Sequence, residues 1–161
     1  MAISEQDPSV RPNTVPWPPI LLVGLSAGAL VLGLRFPLGW PGVDDAPARM
    51  IGLGIGLAGC VLVAWAVITL VRANTTVMPH LPVTRLVTGG PYAWRRNPIY
   101  LGETLILLGL AELTKNIWFV PIGIAFAVLV TWLAILPEER HLEAKFGDAW
   151  HAYAGNTRRL L

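Results

Sequence analysis

Two short polar clusters hold most of the residues in this chain that could do chemistry beside an apolar environment. The first reads Arg95-Arg96-Asn97-Pro98-Ile99-Tyr100 and the second Pro137-Glu138-Glu139-Arg140-His141. A guanidinium, a phenol and paired carboxylates at one mouth can hold a zwitterionic, hydroxyl-bearing ligand. Arg reads a carboxylate bidentately, and an ionised Glu accepts from hydroxyls or amines. Glu103 follows one helical turn after Tyr100, inside an apolar run. A carboxylate at that depth is a candidate for steering or deprotonating a second reactant, with snorkelling to the headgroups as the competing account. Metal ligation is not expected: His80, His141 and His151 show no ligand spacing, and Cys60 is the single cysteine.

These clusters are set among elements whose composition demands a bilayer. The 161 residues are 54% hydrophobic and 14% charged, against about a quarter charged in ordinary soluble domains. The net charge of +2 is small, and the basic residues sit beside hydrophobic stretches instead of forming an aromatic-interleaved basic face. Nucleic acid is therefore not an expected partner. The chain reads as an all-α integral membrane protein with about four transmembrane helices, a C-terminal helical hairpin and a cytoplasmic amphipathic tail helix. Residues 1–17, with Pro8, Pro12 and Pro16, read as a flexible tail, and 18–161 as a single domain. A cleaved signal peptide is disfavoured because Ala46-Pro47-Ala48 lies too far beyond the first apolar run.

The expected spans are Ile20–Leu34, Met50–Val71, Ile99–Leu113 and Ile117–Leu136. The second is about 33 Å long at 1.5 Å per residue, enough to cross a hydrocarbon core of about 30 Å; the third, at about 22 Å, is short for a crossing. Phe36 to Ala48 reads as a loop, and the Gly52/Gly56 and Gly24/Gly28 pairs as small-residue spacings that let helices approach closely. Only Thr114-Lys115-Asn116 separates the last two spans, which forces an antiparallel hairpin. Its arms start and finish on one side, so Arg96 and Tyr100 should neighbour Glu138 and Glu139. Beyond them, Leu142, Phe146, Trp150 and Tyr153 recur at helical spacing and predict one amphipathic helix. With four spans, nine basic residues (Arg11, Arg72, Arg85, Arg95, Arg96, Arg140, Lys145, Arg158 and Arg159) fall on one side against Arg35, Arg49 and Lys115 on the other. Both termini are then expected in the cytoplasm.

The segments Leu86-Val87-Thr88-Gly89-Gly90-Pro91-Tyr92, Arg96-Asn97-Pro98-Ile99-Tyr100-Leu101-Gly102, Glu138-Glu139 and Phe146-Gly147 resemble, in order and spacing, the isoprenylcysteine carboxyl methyltransferase and phospholipid methyltransferase family. The resemblance covers about residues 75–161, the expected cofactor half. It implies a membrane methyltransferase of the bacterial inner membrane, with a cytoplasm-facing S-adenosylmethionine pocket beside a route for a lipophilic acceptor. It also implies Leu86, Val87, Tyr92, Arg96, Asn97, Tyr100, Glu138 and Glu139 as cofactor-binding residues, with Arg96 and Tyr100 nearest the chemistry, where Glu103 joins them as the intramembrane carboxylate. Within that reading Arg96 serves the donor or acceptor carboxylate, Glu138 and Glu139 the ribose hydroxyls or α-amino group, and the Leu86-Val87 backbone the adenine. Asn156 stands where related enzymes often carry an Arg, for which Arg158 or Arg159 would substitute. Two other functions remain open from sequence: an NADPH-dependent reductase of the sterol-reductase type, and a non-catalytic membrane scaffold.

Overall fold

A computed structural model describes residues 15–40, 46–77 and 83–160. His80, Arg11, Asp44 and Asp45 lie outside those residues. Every regular element among them is helical: α1 Trp17–Arg35, α2 Ala46–Arg72, α3 Pro98–Thr114, α4 Phe119–Val130, α5 Leu136–Phe146 and α6 Asp148–Asn156. Three helical stretches are long and apolar enough to cross a membrane, namely Trp17–Arg35, Ala46–Arg72 and Phe119–Phe146. The protein is an integral membrane protein.

Proline positions explain several helix boundaries. Pro18 and Pro19 open α1 and Pro98 opens α3, where the missing N–H removes no intrahelical bond. The same tolerance lets α2 begin at Ala46 with Pro47 in its first turn, so the expected loop ends earlier than Ala48. Pro137 acts differently because it lies inside a continuous helical stretch, where it cannot donate to the carbonyl four residues back. Residues Thr131–Ile135 there widen into a π-helical turn, and the Leu136 N–H bonds Thr131 O. That wider turn joins α4 to α5, so the charged segment after Pro137 continues the last span instead of starting a separate tail helix.

The expected tail helix is also divided at Gly147, whose φ of 50° and ψ of −122° end α5. An L side chain rarely adopts that conformation, so α6 leaves in a new direction. The hairpin turn is closed by Lys115 in the left-handed conformation (φ 51°), with the Asn116 N–H donating to Ala111 O at 3.1 Å. This is a Schellman-type end. Asn116 then donates from Nδ2 to Ala29 O (2.8 Å) and Trp118 from Nε1 to Phe36 O (3.0 Å), which ties the turn to α1. Glu112, buried in α3, pairs with Lys115 at the same end.

The α2–α3 interface rests on glycine. A methyl on Gly56 would lie 3.0 Å from Gly109 Cα, and one on Gly59 would lie 2.6 Å from Gly102 O and 2.9 Å from Ile106 N. Gly52 faces the Glu112 side chain in the same row, whereas Gly24, Gly28 and Gly54 have nothing within 4 Å. The Gly52/Gly56 spacing thus marks a packed interface, and the Gly24/Gly28 spacing does not pack against any described residue. Gly59→Ala should cost about 1–3 kcal/mol, because backbone atoms cannot yield as a side chain would. Gly54→Ala should be neutral or slightly stabilising. Thermal unfolding of both variants in detergent checks this, and equal midpoints would contradict the interface.

Candidate functional site

The short 3₁₀ turn Gly90–Ala93 and the start of α3 place Tyr92, Arg96 and Asn97 on one side and Pro91, Ala93, Trp94 and Arg95 on another. Gly90 adopts φ 61° against Thr69 of α2, where an added methyl would come within 3.0 Å of Thr69 Oγ1. On the inner side a cavity is lined by Tyr92, Arg96, Asn97 and Tyr100, by Leu86 and Val87 of the preceding connection, by Glu138 and Leu142 of α5, and by Trp150 and Tyr153 of α6. The hairpin brings the first cluster to the second, as its short turn dictates.

Within the cavity wall, Tyr100 Oη donates to Glu138 Oε2 at 3.3 Å. Arg96 is held more extensively. Its Nε donates to Glu139 Oε1 (2.9 Å), and its Nη1 donates to the carbonyls of Ala154 (2.7 Å) and Thr157 (2.8 Å). Its guanidinium carbon also stands 5.9 Å from the Trp150 ring centroid. Arg159 binds the other oxygen of Glu139 from Nε at 2.8 Å, and this bond is the first cause that raises the Arg159 pKa. One carboxylate therefore sits between two guanidiniums.

The chain's C-terminal segment is fastened to the first cluster by its backbone. Arg96 N donates to Arg158 O (2.9 Å), Arg158 N to Trp94 O (3.4 Å) and Asn97 Nδ2 to Arg159 O (3.0 Å). Tyr153 Oη adds a bond to Tyr92 O at 2.8 Å. Burial pushes the Tyr153 phenol up to about 12, partly offset by the Arg96 charge and a Thr157 hydrogen bond. Burial and then the Glu138 charge push Tyr92 up further. Both phenols stay neutral near pH 7 and act as walls and donors, not as bases.

Of the residues anticipated from sequence, Leu86, Val87, Tyr92, Arg96, Asn97, Tyr100 and Glu138 surround this cavity. Glu139 does not line it and instead fixes Arg96 and Arg159. Glu103 does not line it either. Its Oε2 is buried without a hydrogen-bond partner among the described residues. Arg159 rather than Arg158 reaches the carboxylates. Trp150 and Tyr153 as cavity walls were visible only as part of an apolar helical face, and the carbonyls of Ala154 and Thr157 leave no trace in residue types.

The phospholipid methyltransferase family model matches residues 48–149, more than half of the chain, from α2 through both polar clusters. This chain belongs to the phospholipid methyltransferase family. Membership makes a membrane methyltransferase the class of activity to explain, and the matched stretch contains most of the cavity wall. The nickel-cobalt-cadmium resistance protein NccN of Alcaligenes xylosoxydans xylosoxydans is 32% identical over 74 residues, which are 46% of this chain and 34% of that protein. The chain thus spans about a third of that relative's length. No solved structure matches the chain.

Proposed function

We propose that the protein transfers a methyl group from S-adenosylmethionine to a lipophilic acceptor, an isoprenoid-type carboxylate or a lipid headgroup, at the cytoplasmic face of a bacterial inner membrane. The four-span topology with both termini inside belongs to the same reading, with α3 as the short crossing. The observation that carries it is the gathering of Arg96, Asn97, Tyr100 and Glu138 around one cavity in a chain of this family.

The residues fit the donor by their chemistry. Glu138 offers a carboxylate to ribose hydroxyls or the α-amino group, and Arg96 offers a positive charge to the methionine carboxylate. Tyr92, Trp150 and Tyr153 supply flat apolar surface, and the Leu86-Val87 backbone supplies polar groups for adenine. When bound, the donor supplies an electrophilic methyl on a sulfonium. The chain's own task is alignment, because an in-line transfer needs no covalent bond to the protein. Tyr100, hydrogen-bonded to Glu138, holds the α3 wall against the α5 wall. Glu103, one turn deeper, is assigned to the acceptor, which its unpartnered Oε2 supports. Glu139 keeps Arg96 in place and is read as a positioning residue.

S-adenosylhomocysteine at a hundredfold its dissociation constant should stabilise the purified protein by about 2.7 kcal/mol. A thermal-shift titration in detergent measures this. No shift at millimolar ligand, with NADPH giving one, would overturn the methyltransferase reading in favour of the reductase.

A further inference from the structure

Residues 91–97 have a second, outward face. A separate groove there is lined by Leu62 of α2, Leu101 of α3, Pro91, Trp94, Arg95 and Arg158 among others, and shares only Pro98 with the inner cavity. Arg95 and Arg158 are set side by side by a parallel backbone bridge. Neither guanidinium forms an ion pair with a described residue, in contrast to Arg96 and Arg159, which share Glu139. Two positive side chains projecting from neighbouring backbone positions of one groove, without a carboxylate among the described residues, call for an anion, and guanidiniums suit phosphate oxygens. Apart from Asn156, whose amide donates to Ala152 O within its own helix, the rest of the groove is apolar. Trp94 is 69% exposed and packs edge-to-face on Trp65 at 5.9 Å, as aromatics do at the membrane–water boundary.

We propose that this groove binds an anionic phospholipid, with Arg95 and Arg158 on the phosphate diester and Leu62, Leu101 and Trp94 against the adjoining acyl chain. A free phosphate would satisfy the arginines and leave the apolar half uncovered. A zwitterionic lipid would bring its own cation towards two guanidiniums. Anionic lipid combines the negative charge and the chain that the two halves require, and it abounds at the membrane surface where basic flanks concentrate. The site depends on the membrane setting and not on the methyl-transfer reading. Because Arg158 also carries the backbone bond to Arg96, a bound lipid would brace the segment that closes the inner cavity.

The test uses delipidated full-length protein in detergent, titrated with phosphatidylglycerol, phosphatidylcholine or inorganic phosphate and followed by melting temperature. Phosphatidylglycerol should raise the midpoint. Arg95→Gln/Arg158→Gln should weaken its apparent affinity more than tenfold, whereas Arg140→Gln, on exposed α5 surface, should not. An unchanged titration in the double variant overturns the proposal. Equal stabilisation by phosphatidylcholine would reduce the groove to an acyl surface, and an equal arginine-dependent shift with inorganic phosphate would make it a free-anion site; both outcomes overturn the lipid assignment. Should the double variant fail to fold, brominated-chain phosphatidylglycerol decides. Its quenching of tryptophan fluorescence should fall in Trp94→Phe, and quenching identical to wild type overturns the proposal.

Discussion

Arg96→Ala is expected to abolish measurable donor binding and to cost the fold about 3–5 kcal/mol, the largest loss expected of any single substitution in this chain. The side chain is 12% exposed, as is its partner Glu139, and it meets that carboxylate and two backbone carbonyls of the C-terminal segment. Truncating one partner of a buried pair weakens the compensation of the remaining charge, which is costly even where the intact pair contributes little net stability. Glu139 keeps Arg159, but the carbonyls of Ala154 and Thr157 lose this donor. The segment carrying Trp150 and Tyr153 then loosens, and two cavity walls loosen with it. Arg96→Lys should recover only part of the loss, because one ammonium cannot reproduce the fork that spans Glu139 and both carbonyls. The measurements are chemical or thermal unfolding in detergent and S-adenosylhomocysteine affinity, with Arg140→Ala as the surface control. An Arg96→Ala protein that unfolds and binds like wild type would sink both the clamp and the donor assignment.

What could be read from sequence follows the range of the forces involved. Three of the four expected spans and the hairpin were legible because apolar runs and a three-residue connection leave few alternatives, whereas α3, at 17 residues, is not among the stretches long and apolar enough to cross. Juxtaposition of Arg96 and Tyr100 with Glu138 and Glu139 followed from the hairpin alone. The division of labour within the Glu138-Glu139 pair was not legible. Adjacent residues on a helix point about 100° apart, and which one faces the cavity depends on the register through the π turn at Thr131–Ile135. The charged residues after Pro137 suggested a tail helix separate from the last span, and the structure instead carries Pro137 as an irregularity inside a continuing rod. The tail helix was overread for a similar reason. The apolar spacing of Leu142, Phe146, Trp150 and Tyr153 runs unbroken, whereas Gly147 at φ 50° breaks the backbone beneath it. The binding of Arg96 to carbonyls of the C-terminal segment was invisible, because a backbone acceptor has no signature in side-chain identity.

That division of labour makes the two neighbouring glutamates separable by experiment. Glu138→Gln keeps the size of the side chain and retains a carbonyl oxygen for the Tyr100 hydroxyl, so stability should change by no more than about 1 kcal/mol. What it removes is the charge offered to the donor's hydroxyls or amine. Hydrogen bonds to charged groups contribute about 1.5–3 kcal/mol, so S-adenosylhomocysteine should bind roughly tenfold to a hundredfold more weakly. Glu139→Gln should show the opposite balance. The neutral amide can accept from only one oxygen, and it leaves Arg96 and Arg159 in a partly dehydrated place without their shared counter-charge. A stability loss of about 2 kcal/mol or more is expected, from the penalty of leaving charged partners unmatched. Its affinity loss should be the smaller of the two, since Glu139 reaches the donor only through Arg96. A double-mutant cycle sharpens the comparison. Arg96→Ala combined with Glu139→Gln should be strongly non-additive, because the two touch one another, and Glu138→Gln combined with Glu139→Gln should be closer to additive. The reverse pattern, with Glu139→Gln crippling donor binding in a stable protein and Glu138→Gln merely destabilising, would mean that the cavity wall has been assigned to the wrong carboxylate.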